Sequence, residues 1–80
     1  MENIELYNFI KKNISALSNI PINNIKDSDH FQEDLELDSL QAIEIVNRVE
    51  KKFRIKIDNV ELENLQSLKS IYNACISLIK

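Results

Sequence analysis

Residues 31–46 read FQEDLELDSLQAIEIV, and the pattern of the chain changes at one point within this stretch. Before Asp38 the apolar residues follow no sustained period, whereas after it they recur at helical spacing. Asp38 is a favoured residue for capping the start of a helix, and Gln41 stands three positions later, which makes a capping-box pattern. The stretch therefore predicts a long loop that ends at Leu37 and a helix that runs from about Ser39 to Phe53.

The chain on either side of this stretch is also predicted to be mostly helical, because it contains no Gly and only one Pro. Apolar residues at helical spacing predict a first helix over about residues 3–17 and a last helix that is capped by Ser67. We also expect a short turn at residues 22–25, an extended connector at 54–58 and a short helix at 59–65. The residues expected in the interior are Ile4, Leu6, Tyr7, Phe9, Ile10, Ile14, Leu17, Phe31, Leu35, Leu37, Ala42, Ile45, Val46, Val49, Phe53, Ile55, Ile57, Val60, Leu62, Leu65, Leu68, Ile71, Cys75, Leu78 and Ile79.

Length, composition and charge exclude several classes of protein. A chain of 80 residues is expected to form a single domain, spanning residues 1–80. The net charge is −3, whereas binding to nucleic acid needs clustered Lys and Arg, so no nucleic acid is expected as a partner. No apolar run approaches the roughly 20 residues that span a bilayer, and the N-terminus lacks the pattern of a signal peptide. We therefore expect a cytoplasmic protein without stable membrane association. Its one Cys, Cys75, is expected to pack in the core, and Cys and His are too few for the common metal sites.

The acidic residues cluster in the loop that precedes Ser39. Such a cluster usually forms a solvated loop, and sometimes it docks a basic partner. A calcium loop of the EF-hand type would need an oxygen ligand at its fifth position and Gly at its sixth, where this chain has Phe31 and Gln32, so that site is excluded. The clustered acids are Asp27, Asp29, Glu33, Asp34, Glu36 and Asp38.

Ser39 stands at the first turn of the second predicted helix, so its hydroxyl should be exposed at the positive end of the helix dipole. Free backbone N–H groups at that end favour a bound phosphate. The same residues allow two other interpretations. Asp38 and the neighbouring carboxylates could help to hold a metal ion that a modifying enzyme brings, or Ser39 could simply be the second residue of an ordinary helix cap. Hydrolysis by Ser39 is not expected, since the chain has no G-x-S-x-G elbow. His30 is its only His and is expected to pack near Phe31 in the loop.

Residues 34–40, with the sequence DLELDSL, resemble the D-L-G-x-D-S-L signature of acyl carrier proteins. The similarity continues along the chain, and its register holds without a gap from Phe31 to Cys75. It implies a four-helix, acyl-carrier-like bundle of three longer helices and one short third helix, with a long first loop. The other positions that match the family are Ile43, Glu44, Ile45 and Val46 in the second helix, Phe53 at its end, Ile55 and Ile57 in the connector, residues 59–65, and Ser67 and Leu68.

The resemblance implies that this protein is a carrier rather than an enzyme. A phosphopantetheinyl transferase would move 4′-phosphopantetheine from coenzyme A onto Ser39, beside Asp38, and the thiol of that arm would carry acyl groups as thioesters. The implied partners of this monomeric carrier are acyl-loading and acyl-transfer or condensing enzymes of a fatty-acid, polyketide or specialised acyl-transfer pathway. The implied docking residues are Asp34, Glu36, Leu40 and Glu44, and the implied acyl pocket comprises Ile43, Val46, Ile57, Leu62, Leu65, Leu68 and Ile71.

Two departures from the family pattern bear on the choice of partners. Glu36 replaces the usual Gly of the signature, which adds charge and stiffens the loop. In the second helix Gln41 replaces the first acid, and Arg48, Lys51 and Lys52 occupy the half where the family's housekeeping members are acidic. We therefore expect partners that differ from the standard fatty-acid enzymes.

Two alternative functions remain open at this point. An aminoacyl or peptidyl carrier of a nonribosomal-type pathway more often has Gly-Gly before the modified serine, where this chain has Leu37 and Asp38. A helical protein-interaction domain without the arm belongs to a different class of protein. The chain begins at Met1, just before the first predicted helix, and ends at Lys80, just after the last. From these positions we expect a free-standing carrier.

Overall fold

The computed structural model describes residues 3–57 and 65–79. These residues form three α-helices, α1 (Ile4–Ser18), α2 (Ser39–Phe53) and α3 (Leu68–Ile76), and one 3₁₀ turn at Ile22–Asn24. The all-α class, the long first loop and its short turn are confirmed. The predicted helix at 59–65 falls almost wholly on residues 58–64, which lie outside the described part of the chain. No helix among the described residues is long and apolar enough to cross a membrane.

Helix α1 begins where the Asn3 side chain accepts a hydrogen bond from the Leu6 backbone N–H at 3.0 Å. Its fully buried residues are Leu6, Ile10 and Ile14, four positions apart. The prediction that Ile4 joins this buried face is wrong, because Ile4 is 61% exposed. At 3.6 residues per turn Ile4 lies about 160° around the helix from Leu6, so the two side chains point to opposite sides.

Helix α2 packs antiparallel to α1. Near the start of α2 the side-chain amide of Gln41 donates a hydrogen bond to the Leu17 carbonyl at 3.4 Å, close to the end of α1. Near the end of α2 the Phe53 ring meets the Phe9 ring edge to face, with 5.7 Å between ring centres. The last residues of α1 and the first residues of α2 therefore lie at the same end of the molecule. The residues of α2 that are buried in the core are Ala42, Ile45, Val46 and Val49.

The loop between α1 and α2 is held to the core by apolar side chains, as predicted. Phe31, Leu35 and Leu37 are buried. Backbone hydrogen bonds also fix the loop, since the Phe31 N–H donates to the Gln66 carbonyl at 2.8 Å and the Leu37 N–H donates to the Phe31 carbonyl at 2.7 Å. These contacts fix the backbone on both sides of the acidic residues 33, 34 and 36, so the segment that leads into Ser39 is anchored to the rest of the fold.

Helix α3 begins at the predicted cap, where the Ser67 hydroxyl accepts a hydrogen bond from the Ser70 backbone N–H at 3.1 Å. Leu68, Ile71 and Cys75 are buried on its inner face, as predicted. The prediction that Leu78 is buried is wrong, because it is 42% exposed. The helix ends at Ile76, so the 3.6-residue period that would place Leu78 beside Cys75 does not extend that far.

Candidate functional site

Ser39 is the first residue of α2 and is exposed, as is Asp38 before it. Leu40 after it is 75% exposed, more than any other large apolar side chain among the described residues. The position combines a helix start, a hydroxyl open to solvent and an apolar neighbour. Such an arrangement allows an enzyme to reach the hydroxyl without disturbing the core.

The start of α2 is capped by Asp38 and Gln41, as predicted. The Asp38 carboxylate accepts a hydrogen bond from the Gln41 backbone N–H at 2.8 Å, and the Gln41 side-chain oxygen accepts one from the Asp38 backbone N–H at 3.0 Å. Because these two side chains perform the capping, the helix does not need the Ser39 hydroxyl for its own stability. The cap predicted from the sequence, of which Ser39 is simply the second residue, is thus present, and it does not use the Ser39 hydroxyl.

The residues at this position fit a phosphodiester joined to the Ser39 hydroxyl. The first N–H groups of any α-helix lack a partner within the helix, and among the described residues the Asp38 carboxylate takes only the one from Gln41. The N–H groups of Ser39 and Leu40 remain at the positive end of the helix dipole, where a negatively charged phosphate is stabilised.

The loop before Ser39 contains a cap that the sequence reasoning missed. The imidazole Nδ1 of His30 accepts hydrogen bonds from the backbone N–H groups of Gln32 at 3.2 Å and Glu33 at 3.3 Å. The Asp34 carboxylate accepts one in return from the His30 backbone N–H at 2.7 Å. His30 is thus a structural residue of the loop. The only hint of this cap in the sequence was Asp34, which stands four positions after His30.

Glu36 has a left-handed backbone conformation, with φ of 56°. Glycine adopts this conformation at no steric cost, whereas in a residue with a Cβ atom that atom comes too close to the backbone. This conformation explains why the family signature has Gly at this position. Glu36 adopts the same backbone conformation at a steric cost. A polar cleft of about 280 Å³ lies beside it, lined by Leu17, Ser18, Ile20, Asp34, Leu35 and Glu36.

The structure places the predicted docking residues on the surface. Asp34, Glu36 and Leu40 are exposed at the end of the molecule that carries Ser39. Glu44 is also exposed, but its carboxylate is held in an ion pair by the guanidinium of Arg48, one turn further along α2.

The predicted acyl-pocket residues lie in two environments. Val46, Leu65, Leu68 and Ile71 are buried in the core. Ile57 is half-buried against that core, and its backbone N–H donates a hydrogen bond to the Glu50 carboxylate at 2.7 Å. Ile43 is half-buried on α2, and Leu62 lies outside the described residues.

A second cleft, of about 310 Å³, was not expected from the sequence. It lies between the first half of α1 and the start of α3. The Tyr7 hydroxyl donates a hydrogen bond to the Asp27 carboxylate at 2.6 Å at its edge, and the Tyr7 and Tyr72 rings meet edge to face. The cleft is remote from Ser39, since α1 runs away from that end of the molecule. The residues that line it are Ile4, Tyr7, Asp27, Leu68, Lys69 and Tyr72.

The structure places the exposed Ser39 at a capped helix start within a small helical fold, where a modifying enzyme can reach it. Comparison with known proteins shows to which class of protein the chain belongs. The family profile described as "Phosphopantetheine attachment site" matches residues 8–75. The chain belongs to the acyl carrier protein family, and it is a carrier with a 4′-phosphopantetheine prosthetic group rather than an enzyme.

Individual relatives show the same assignment. The chain is 37% identical over 73 residues to the acyl carrier protein of Buchnera aphidicola subsp. Baizongia pistaciae, a match that covers 91% of each chain. It is 39% identical over 62 residues to the acyl carrier protein of Onion yellows phytoplasma, covering 78% of this chain and 82% of the relative. It is also 29% identical over 68 residues to polyketide-8 synthase acyl carrier protein 2 of Streptomyces avermitilis, covering 85% and 78%.

Proposed function

We propose that Ser39 is the residue that receives the phosphopantetheine arm. The observation that carries this proposal is the exposed hydroxyl on the first residue of α2, in a cap that Asp38 and Gln41 complete without it. A phosphoryl group on that oxygen would lie beside the free N–H groups of the first turn. At Ser67, by contrast, the hydroxyl that would have to attack the phosphate of coenzyme A already accepts the Ser70 N–H.

The arm supplies a terminal thiol that holds an acyl group as a thioester, and the rest of the work falls to the chain itself. Asp38 and Gln41 hold the start of α2, so the attachment point stays in one place. Asp34 and Glu36 present negative charge beside it, and Leu40 presents an apolar contact. These features suit brief docking of many enzymes, in which charge guides the encounter and a small apolar contact fixes the position.

We further propose that the interior beside α2 accepts the carried chain. Val46, Leu65, Leu68 and Ile71 are buried, Ile57 is half-buried against the same core, and Ile43 is half-buried on α2. An acyl chain among these side chains would leave water, which stabilises the loaded protein by about 0.8 kcal/mol for each buried methylene group. Leu62 belongs to the same proposed set on the ground of the family resemblance.

The pathway is proposed to be a specialised acyl-transfer, polyketide or fatty-acid pathway. The relatives include carriers named for a polyketide synthase and carriers named simply acyl carrier protein. The basic residues Lys51 and Lys52 are exposed at the end of α2 and favour the specialised case. An enzyme whose basic surface recognises an acidic helix would meet like charge there. An aminoacyl carrier is the second candidate, and Leu37 and Asp38 before Ser39 count against it.

The experiment that tests the proposal is the intact mass of the protein after incubation with coenzyme A and a broad-specificity phosphopantetheinyl transferase. We expect the wild-type protein to gain one arm, and Ser39→Ala to gain none while its helical circular dichroism is unchanged. Ser28→Ala, an exposed serine in the same loop, is the matched control and should be modified fully. Modification of Ser39→Ala, or an arm found on Ser67 or Ser70, would refute the proposal.

A further inference from the structure

The outward face of α2 starts beside Ser39 and runs the length of the helix. Leu40, Glu44, Asn47 and Lys51 lie on it at spacings of four, three and four residues, and all four are exposed. The buried residues of α2 lie on its opposite side. Given the proposed attachment at Ser39, an enzyme that reaches the arm must approach the start of this face, so the charges along the face bear on which enzymes bind.

The one acid on this face, Glu44, is held within the protein. Its carboxylate accepts a hydrogen bond from one terminal nitrogen of Arg48, and the other terminal nitrogen donates to the Asn13 side-chain oxygen at 2.8 Å. Asn13 is itself fixed, because its amide donates to the Phe9 carbonyl at 2.8 Å. The guanidinium therefore bridges α2 to α1, and the side chain of Glu44 stays 49% exposed while its charge is already matched.

Beyond Arg48 the surface of α2 carries positive charge. Lys51 lies on the outward face, Lys52 lies one turn after Arg48, and both are exposed. Among residues 3–57 and 65–79, neither has a carboxylate within ion-pair distance. Glu50, which stands next to them, accepts the Ile57 backbone N–H instead. At 1.5 Å per residue, Lys51 lies roughly 18 Å along the helix from Ser39.

We propose that α2 and the loop before it form a docking surface of two opposite charges, with Arg48 as a specificity-determining residue at the boundary. The acidic part comprises Asp34, Glu36 and Asp38 beside Ser39, and the basic part comprises Lys51 and Lys52. The partner is an acyl-handling enzyme that carries basic residues at the entrance to its active site and acidic residues roughly 18 Å away. Arg48 removes Glu44 from the acidic part, so an enzyme with a uniformly basic surface binds poorly.

The test uses a fatty-acid ketosynthase with a uniformly basic docking surface as the probe. Its dissociation constant for the unmodified carrier is measured at low salt, where exposed charges act most strongly. We expect Lys51→Glu with Lys52→Glu to tighten binding by about three- to tenfold. Lys12→Glu with Lys69→Glu makes the same change of net charge at exposed sites on α1 and α3, and it should tighten binding much less. Equal tightening by the two pairs would overturn the proposal, because net charge alone would then explain the result.

The role of Arg48 is tested by a double-mutant cycle with the same probe. Glu44→Gln should leave the dissociation constant of the wild-type protein nearly unchanged, since the charge is already matched. In the Arg48→Gln background Glu44 is released, and the same Glu44→Gln change should weaken binding by about threefold. Equal effects in both backgrounds would overturn the boundary role of Arg48. Arm loading, followed by intact mass in every variant, reports separately on the proposed attachment at Ser39.

Discussion

Asp38 and Gln41 each bind the other's backbone N–H through their side chains, at 2.8 and 3.0 Å, with Ser39 and Leu40 between them. The cap therefore encloses the proposed attachment residue without using it. Gln41 also donates to the Leu17 carbonyl of α1, so the same side chain joins the start of α2 to the neighbouring helix. A single residue thus couples the position of Ser39 to the packing of the bundle.

The first prediction separates the two roles of Asp38. Asp38→Ala removes the cap and should lower the free energy of unfolding by about 1 kcal/mol, measured by urea denaturation. Asp38→Asn keeps a capping oxygen and should leave stability nearly unchanged. If the charge of Asp38 serves the transferase, for instance through a metal ion, Asp38→Asn should still slow arm loading. A stable Asp38→Asn variant that loads at the wild-type rate would limit Asp38 to capping.

The second prediction concerns the left-handed backbone of Glu36. Glu36→Gly relieves the steric cost of a Cβ atom at positive φ, and this gain exceeds the extra freedom that Gly gives the unfolded chain. We expect the free energy of unfolding to rise by about 0.5–1 kcal/mol. Glu36→Ala removes the same charge but keeps the Cβ atom, so it is the matched control. An equal rise in both variants would show that charge repulsion in the acidic loop, and not backbone strain, is relieved.

The third prediction tests the proposed acyl pocket. Carriers loaded with acetyl and octanoyl groups on the arm are compared by their melting temperatures. If the chain lies among Val46, Leu68 and Ile71, the octanoyl form should melt at a higher temperature, because each buried methylene contributes roughly 0.8 kcal/mol. Identical melting temperatures for the two forms would show that the chain stays in solvent.

The fourth prediction follows from the buried thiol of Cys75. Burial raises the pKa of this thiol from 9.0 to about 11, and the nearby charge of Glu50 adds to the effect. The folded protein then holds the thiol proton more tightly than the unfolded chain does. Stability from this group is complete below about pH 9 and is lost progressively as the pH rises toward 11.

Cys75→Ala provides the reference for that measurement, since it removes the thiol and leaves every other titrating group in place. The difference in unfolding free energy between wild type and variant should be constant below about pH 9 and should shrink above it. A difference that stays constant across the whole range would contradict the prediction. The buried thiol should also be unreactive toward thiol reagents in the native protein, because the thiolate is the nucleophile.

The sequence by itself determined the elements whose causes are local. The start of α2 is specified by the capping pair of Asp38 and Gln41 and the helical period that follows it. The start of α3 is specified in the same way by Ser67. The signature around Ser39 also indicated the family, and the aperiodic acidic stretch indicated the loop. These features depend on residues a few positions apart, so their spacing in the chain is enough to predict them.

The tertiary structure decided what depends on residues far apart in the chain. Arg48 binds Glu44 within α2, and its other terminal nitrogen donates to Asn13, which stands 35 positions earlier in the chain. Only the packing of α1 on α2 brings Arg48 and Asn13 together. The left-handed backbone of Glu36 and the caps made by His30 arise because buried Phe31, Leu35 and Leu37 fix the path of the loop. The exposure of Ile4 and Leu78 likewise follows from where the helices begin, end and face. The charges that a partner meets on α2 are therefore a property of the packed helices, which residue spacing alone does not reveal.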